Sequence, residues 1–367
     1  MEKSKVITKK SRIESLDWLR GLAALSIMFY HLYSWNIASL DSGSWLGRLG
    51  IYAVSIFFIL SGLSMAIVYN KFIKDAKTSI TFFVRRIFRI WPLLWVVTTY
   101  SVLMDSRGQI TISQLKIYIA NITTVFGFIK PQAYIATGAW SIGNEMVYYA
   151  ITPIIIVAYN RKKILGNLVF IFSLVIGLIY AFNILDSNVD LATQWINYIS
   201  PFNNLFFYFG GIAIYYNLKD IEVNKHFNNC ILVIALMLFC FIPLDGNQII
   251  ISTSIWRIIF SLLCFIIVIG FYKLKSNVPK LIGGFLELFG VATYGVYLLH
   301  PVIYNMVTRI FNRLNLFTDG ITGKICIIVS VVIITAILAL ISYYKFELKI
   351  MRYGKKFSLS KKDALSL

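Results

Sequence analysis

The sequence predicts an all-α integral membrane protein of about ten transmembrane helices with both termini in the cytoplasm. Three observations predict it. Of the 367 residues, 58% are hydrophobic, and mean hydropathy is +0.75. Only 14% are charged, too few to cover the surface of a soluble domain. The apolar residues gather in runs of about 20, each long enough to cross roughly 30 Å of hydrocarbon.

In chain order the predicted spans are 16–37, 49–70, 82–104, 140–159, 164–185, 199–217, 229–244, 249–272, 285–309 and 324–345. The first follows a basic N-terminus, as the apolar core of a signal peptide would. It carries Asp17, Arg20 and His31 with no small-residue cleavage pattern after it, and so reads as a retained span. The segment 111–128 is short and contains Lys116 and Asn121. It is either an eleventh span or a helix on the outer face.

Charge decides between these. With the N-terminus inside and 111–128 not crossing, the cytoplasmic segments hold 27 of the 35 Lys and Arg residues. If 111–128 crossed, Arg161, Lys162 and Lys163 would all face outward. The expected organisation is a cytoplasmic segment 1–15, a membrane domain 16–345 and a basic cytoplasmic tail 346–367. The same bias accounts for the net charge of +19, which in a soluble chain would suggest nucleic acid. The four cysteines, Cys230, Cys240, Cys264 and Cys326, lie in or beside apolar runs with no metal-ligand spacing, so no metal site is expected.

Ionisable residues at bilayer depth cost about 2.5–3.5 kcal/mol each on insertion scales, which makes the few present informative. In LDWLRGLAALSIMFYHLY, Arg20 and His31 lie about 16 Å apart along a helix, and Asp17 sits one turn before Arg20, where the two can pair. VRRIFRIWP places Arg86 and Arg89 on one helix face near the cytoplasmic boundary, either as anchors or as forks for phosphate oxygens. GAWSIGNEMVYY sets Glu145 about 8 Å below the outer surface, as an acid, a base, a histidine partner or a structural node with Asn144. ATYGVYLLHPVIY carries His300, at about the depth of His31, and Pro301, expected to kink the helix there. Arg257 lies in the eighth span, where it could pair with Glu145. His31, Glu145, Arg257 and His300 therefore read as one polar chamber in the outer half, with the arginines as a separate anion site.

A histidine near a carboxylate can take a proton from an alcohol, and arginines can hold the phosphates of a donor entering from the cytoplasm. Coenzyme A thioesters have the required shape, with a phosphate-bearing nucleotide and a thin arm ending in the acyl group.

Five strings, in order, carry a resemblance. They are LDWLRGLAALSIMFYH with Arg20 and His31, IFFILSG (56–62), RRIFRIWP with Arg86 and Arg89, WSIGNEMVYY with Glu145, and YGVYLLHP with His300. Over about 13–345 the chain resembles membrane acyltransferase family 3, bacterial multi-span enzymes that O-acylate surface polysaccharides. The resemblance implies an acyl-CoA donor, usually acetyl-CoA, with no permanently bound cofactor, and a glycan or lipid-linked glycan acceptor. It implies that His31 is the catalytic base or briefly carries the acyl group, and that Arg20, Arg86 and Arg89 serve the donor. Roles for Glu145 and His300 are implied as well. Many relatives carry an extracytoplasmic esterase-like domain that this chain lacks, so either it completes transfer itself or a separate partner does.

The competing class is a transporter or flippase for a lipid-linked glycan, which also fits buried charges, although no inverted repeat of hydropathy is present. A reporter fused after Lys163 is expected on the cytoplasmic side; an outer location would restore eleven spans.

Overall fold

The computed structural model describes residues 13–105, 111–275, 278–316 and 320–357. Residues 1–12 of the N-terminal segment and 358–367 of the tail lie outside the described residues. The described chain is all helical. It begins with α1 (Glu14–Asn36), α2 (Trp45–Tyr69) and α3 (Ala76–Asp105), then two short helices, α4 (Ile112–Ile122) and α5 (Phe126–Ile129). After these come α6 (Ala139–Arg161), α7 (Lys163–Ile179), α8 (Trp195–Tyr198), α9 (Pro201–Leu218), α10 (Lys225–Phe241), α11 (Ile249–Ser252) and α12 (Ser254–Tyr272). The last are α13 (Lys280–Val291), α14 (Thr293–Arg313), α15 (Gly320–Ile341) and α16 (Leu348–Phe357).

All ten segments read from the sequence as spans are helical. By length and composition six helices could cross a bilayer, or seven if the bent pair α13 and α14 is one span. The shortfall has a physical cause. α10 is only 17 residues long, whereas α1 and α9 carry their polar groups on faces buried against other helices. Asp17 on α1 and Asn203 and Asn204 on α9 are all buried. Such helices need less apolar surface than helices in contact with lipid.

Segment 111–128 does not form a span. α4 is 11 residues, about 16 Å, roughly half of what a bilayer core requires. Thr111 and Gln114 close a capping box at its start. The Trp95 indole donates to the Ile122 carbonyl at 2.7 Å, and Thr99 and Tyr118 hydroxyls meet at 2.9 Å, holding α4 against α3.

The predicted kink at Pro301 is not where the helix breaks. α14 runs through Pro301, which is 1 of its 21 helical residues, and the chain turns by 70° at Ala292 between α13 and α14. Pro301 removes one backbone donor, and the rest of α14 carries on through it. The break at Ala292 instead lets α13 pack across α1. There Gly290 lies so close to α1 that a Cβ would overlap the Asp17 carbonyl.

α2 is the central helix. Gly62 on α2 and Gly211 on α9 bring two backbones into direct contact: a Cβ on Gly62 would overlap the Tyr208 carbonyl oxygen, and one on Gly211 that of Ile59. Arg48, 1% exposed, ties the far end of α2 in place without any carboxylate. Its guanidinium donates to the carbonyls of Ser42 at 2.7 Å, Phe239 at 3.0 Å and Ile242 at 2.5 Å, the latter two at the C-terminal end of α10.

Gly62→Ala is expected to destabilise the bundle by roughly 1–3 kcal/mol through overpacking. Thermal unfolding of detergent-solubilised protein measures this against Gly284→Ala, whose Cβ would meet nothing within 4 Å. Equal midpoints for the two variants would show that the α2–α9 contact does not require glycine.

Candidate active site

Three arginines reach one cavity of about 420 Å³ from two helices. α1 delivers Asp17 and Arg20 one turn apart, and Arg20 Nη1 donates to Asp17 Oδ1 at 2.5 Å. Its Nη2 bonds to the Ser64 hydroxyl of α2. α3 delivers Arg86 and Arg89, three residues apart and on one face, as the helical spacing requires. Arg86 Nη2 donates to the Tyr69 hydroxyl at 2.9 Å, with its guanidinium 5.4 Å from the Tyr69 ring and 5.9 Å from the Tyr149 ring. Arg86 Nε is buried without a hydrogen-bond partner among the described residues. Arg89 Nη1 meets the Met351 thioether at 3.3 Å, a weak acceptor. The arginines thus keep unspent donors at a cavity wall.

Glu145 lines the same cavity. Its Oε1 accepts from the Ser61 hydroxyl of α2 and from the Tyr149 hydroxyl one turn along α6. This separates it from Arg257, with which the sequence reading allows a pair. Arg257, 2% exposed, lies instead over the rings of Phe207, Phe206 and Tyr52, at 5.1, 5.7 and 5.7 Å. Its nearest polar partner is Asn204 Oδ1 at 3.2 Å. The single chamber expected from His31, Glu145, Arg257 and His300 is therefore corrected. The two histidines come together, Glu145 joins the arginines, and Arg257 sits apart. Residue count gives a position along one helix, but not the level at which that helix packs against its neighbours, its rotation about the axis or its lateral position.

His31 of α1 and His300 of α14 meet directly, Nδ1 to Nε2, at 2.9 Å. The tautomers follow from the next contact. His300 Nδ1 lies 2.9 Å from the Val296 carbonyl oxygen, which can only accept, so that nitrogen carries the proton. In a neutral ring His300 Nε2 then accepts from His31 Nδ1–H, which leaves the lone pair of His31 on Nε2. His300 is 1% exposed and holds the arrangement from the inside of the bundle.

Tyr297 stands between the two assemblies. It lines the arginine cavity, and its ring is 6.4 Å from that of His300, centroid to centroid. Its hydroxyl donates to the Gly138 carbonyl at 2.9 Å and lies 2.9 Å from the Ser141 hydroxyl. Ser61, Ser64, Tyr149 and Tyr297 are the site residues that sequence reasoning did not single out. Tyr149 was within reach of it, since a hydroxyl four residues after a buried carboxylate shares its face. Ser61 and Ser64 bond across helices distant in sequence, and no local spacing signals that. Among the described residues no group of His, Cys, Asp or Glu could hold a metal ion.

The family described as an acyltransferase domain matches residues 13–344. Nodulation protein 10 of Rhizobium leguminosarum bv. viciae is 26% identical over 179 residues, 42% of this chain and 47% of that protein. The O-acetyltransferase OatA of Staphylococcus aureus is 24% identical over 386 aligned positions, 94% of this chain and 58% of that protein. The chain thus spans about half the length of these curated relatives. No solved structure matches it. The match from 13 to 344 takes in the arginine cavity and both histidines, and the chain belongs to the acyltransferase 3 family.

Proposed function

We propose that the protein is an O-acyltransferase of a bacterial inner membrane. It moves an acyl group, acetyl by preference, from acyl-CoA to a hydroxyl of a cell-surface glycan or its lipid-linked form. The observation that carries this reading is the histidine pair set one helical turn from a cavity lined by three arginines. Nodulation protein 10 and OatA support membership of the class, and the name O-acetyltransferase, borne by OatA, supports acetyl transfer to oxygen.

In this reading the cavity takes the phosphates of coenzyme A. Arg86 and Arg89 carry donors not satisfied by protein acceptors, and Asp17 and Ser64 hold Arg20 in a fixed orientation. Glu145, held by Ser61 and Tyr149, keeps the wall polar and orders the side chains opposite the arginines. At the other end His31 Nε2 accepts the proton of the acceptor hydroxyl as its oxygen attacks the thioester carbonyl. The C–S bond breaks, the coenzyme A thiolate leaves and the proton passes from His31 to that sulfur. His300 receives the His31 Nδ1–H bond throughout. It fixes the imidazole orientation and stabilises the cation that forms, the role a carboxylate plays in a serine-protease triad.

Two measurements on protein in lipid nanodiscs with labelled acetyl-CoA test the assignment. His31→Ala is expected to lower turnover by about 10²–10⁴-fold with donor affinity unchanged, the usual loss for a general base. Transfer at the wild-type rate would remove His31 from the reaction. Arg86→Ala is expected to weaken donor binding by roughly tenfold to a hundredfold, as for loss of a charged hydrogen bond. Wild-type donor affinity in that variant would take the phosphate site elsewhere.

A further inference from the structure

The arginine cavity has two unlike ends. α2 lines it from Tyr69 back to Val54, a span of about 22 Å along the helix. Arg20 and Arg86 bond to Ser64 and Tyr69 at the first end. At the other end α2 gives Val54, Phe57 and Phe58, α6 gives Ser141 and Ile142, and α14 gives Tyr297. None of these side chains is charged. The hydroxyls of Ser141 and Tyr297 are already engaged with each other and with the Gly138 carbonyl.

Phe57 closes that apolar end. Its ring meets the Tyr297 ring edge-on, with centroids 6.1 Å apart and planes at 74°. It packs against both buried apolar clusters of the protein, the larger including α2, α6 and α9 and the smaller including α1, α14 and α15. It therefore stands on the partition between them. Tyr297 lies one helical turn before His300, so the two rings end the open volume one turn short of the histidine pair. Phe58 is placed differently. It is 3% exposed and edge-on to Trp140 and Tyr148, which fixes it in the core. Phe57 is half-buried, with ring surface left for the cavity.

We propose that Phe57 sets the length of the acyl group that the enzyme accepts. This rests on the coenzyme A reading above, which puts the phosphates at the arginines and the thioester toward the far end. The acyl tail then enters an apolar pocket whose floor is the Phe57 ring against Tyr297. An acetyl methyl ends before that floor, and each further methylene must push the ring aside. Behind Phe57 lies close-packed core, which has no slack to receive it. Removing the ring leaves an apolar hole in line with the tail, and a longer chain can fill it. Phe57 is thus a specificity residue, and it takes no part in proton transfer.

The test measures donor binding alone and needs no acceptor. Wild type, Phe57→Ala and Phe57→Leu in nanodiscs are titrated with acetyl-CoA, butyryl-CoA, hexanoyl-CoA and free coenzyme A, each competing against labelled acetyl-CoA. In wild type the two longer thioesters are expected to bind roughly fivefold to a hundredfold more weakly than acetyl-CoA, the usual result of forcing methylenes into filled space. In Phe57→Ala the order is expected to reverse, with binding tightening about fourfold for each methylene that the hole buries. Phe57→Leu, the milder change, is expected to admit butyryl and still exclude hexanoyl. Free coenzyme A is expected to bind all three proteins alike, which shows that the phosphate end is intact. Wild type binding hexanoyl-CoA as tightly as acetyl-CoA overturns the proposal. So does the wild-type order persisting in Phe57→Ala, or in Phe57→Leu if the alanine variant does not fold. Failure of the parent reading looks different: free coenzyme A would not compete, or would bind Arg86→Ala as well as wild type. Either result removes the phosphates from the arginines, and the acyl pocket with them.

Discussion

A charge inside a helix bundle surrounded by hydrocarbon must be answered by another group, and this protein is arranged around that requirement. The answers are of two kinds. Arg48 spends its guanidinium on backbone carbonyls, and Arg257 rests on three aromatic rings and an asparagine oxygen. Both are enclosed, and Arg257 Nε and Nη1 are buried without a hydrogen-bond partner among the described residues. Arg20, Arg86 and Arg89 are answered only in part, and they face a cavity. Open volume beside the guanidinium, and not incomplete satisfaction alone, separates Arg20, Arg86 and Arg89 from Arg257.

The geometry also keeps two groups of side chains apart. The cavity arginines come from α1 and α3, with Glu145 of α6 on the same wall, while the histidine contact belongs to α1 and α14. α1 carries Arg20 and His31 on one rigid rod, and α14 likewise gives Tyr294 and Tyr297 to the cavity wall and His300 to the pair. Tyr297 occupies the border between the two, tied to the start of α6 through Gly138 and Ser141. The turn at Ala292 makes the arrangement possible. It sends α13 across α1 beside Asp17 and frees α14 to rise alongside α1 to the level of His31.

Several motifs gain a physical meaning in this frame. In IFFILSG, Ser61 binds Glu145 and Gly62 admits the α9 backbone, so two adjacent residues serve the site and the packing behind it. In WSIGNEMVYY, Ser141, Glu145 and Tyr149 are spaced by four and line one face toward the cavity. In YGVYLLHP, Tyr294 and Tyr297 line the cavity, and Tyr294 donates to the Ile90 carbonyl at 2.7 Å, tying α14 to α3.

The sequence by itself determined the helical membrane class, the approximate extent of each long helix and the pairs that share a turn, such as Asp17 with Arg20. Those follow from hydropathy and from the fixed 3.6-residue period, which are local properties. Only the tertiary structure decided that Glu145 bonds to Ser61 and stays away from Arg257, that His31 finds His300, and that the late helix breaks at Ala292 and not at Pro301. Each of those depends on how a helix is rotated and where it lies against partners remote in the chain. Packing sets both, and no spacing within one helix encodes them.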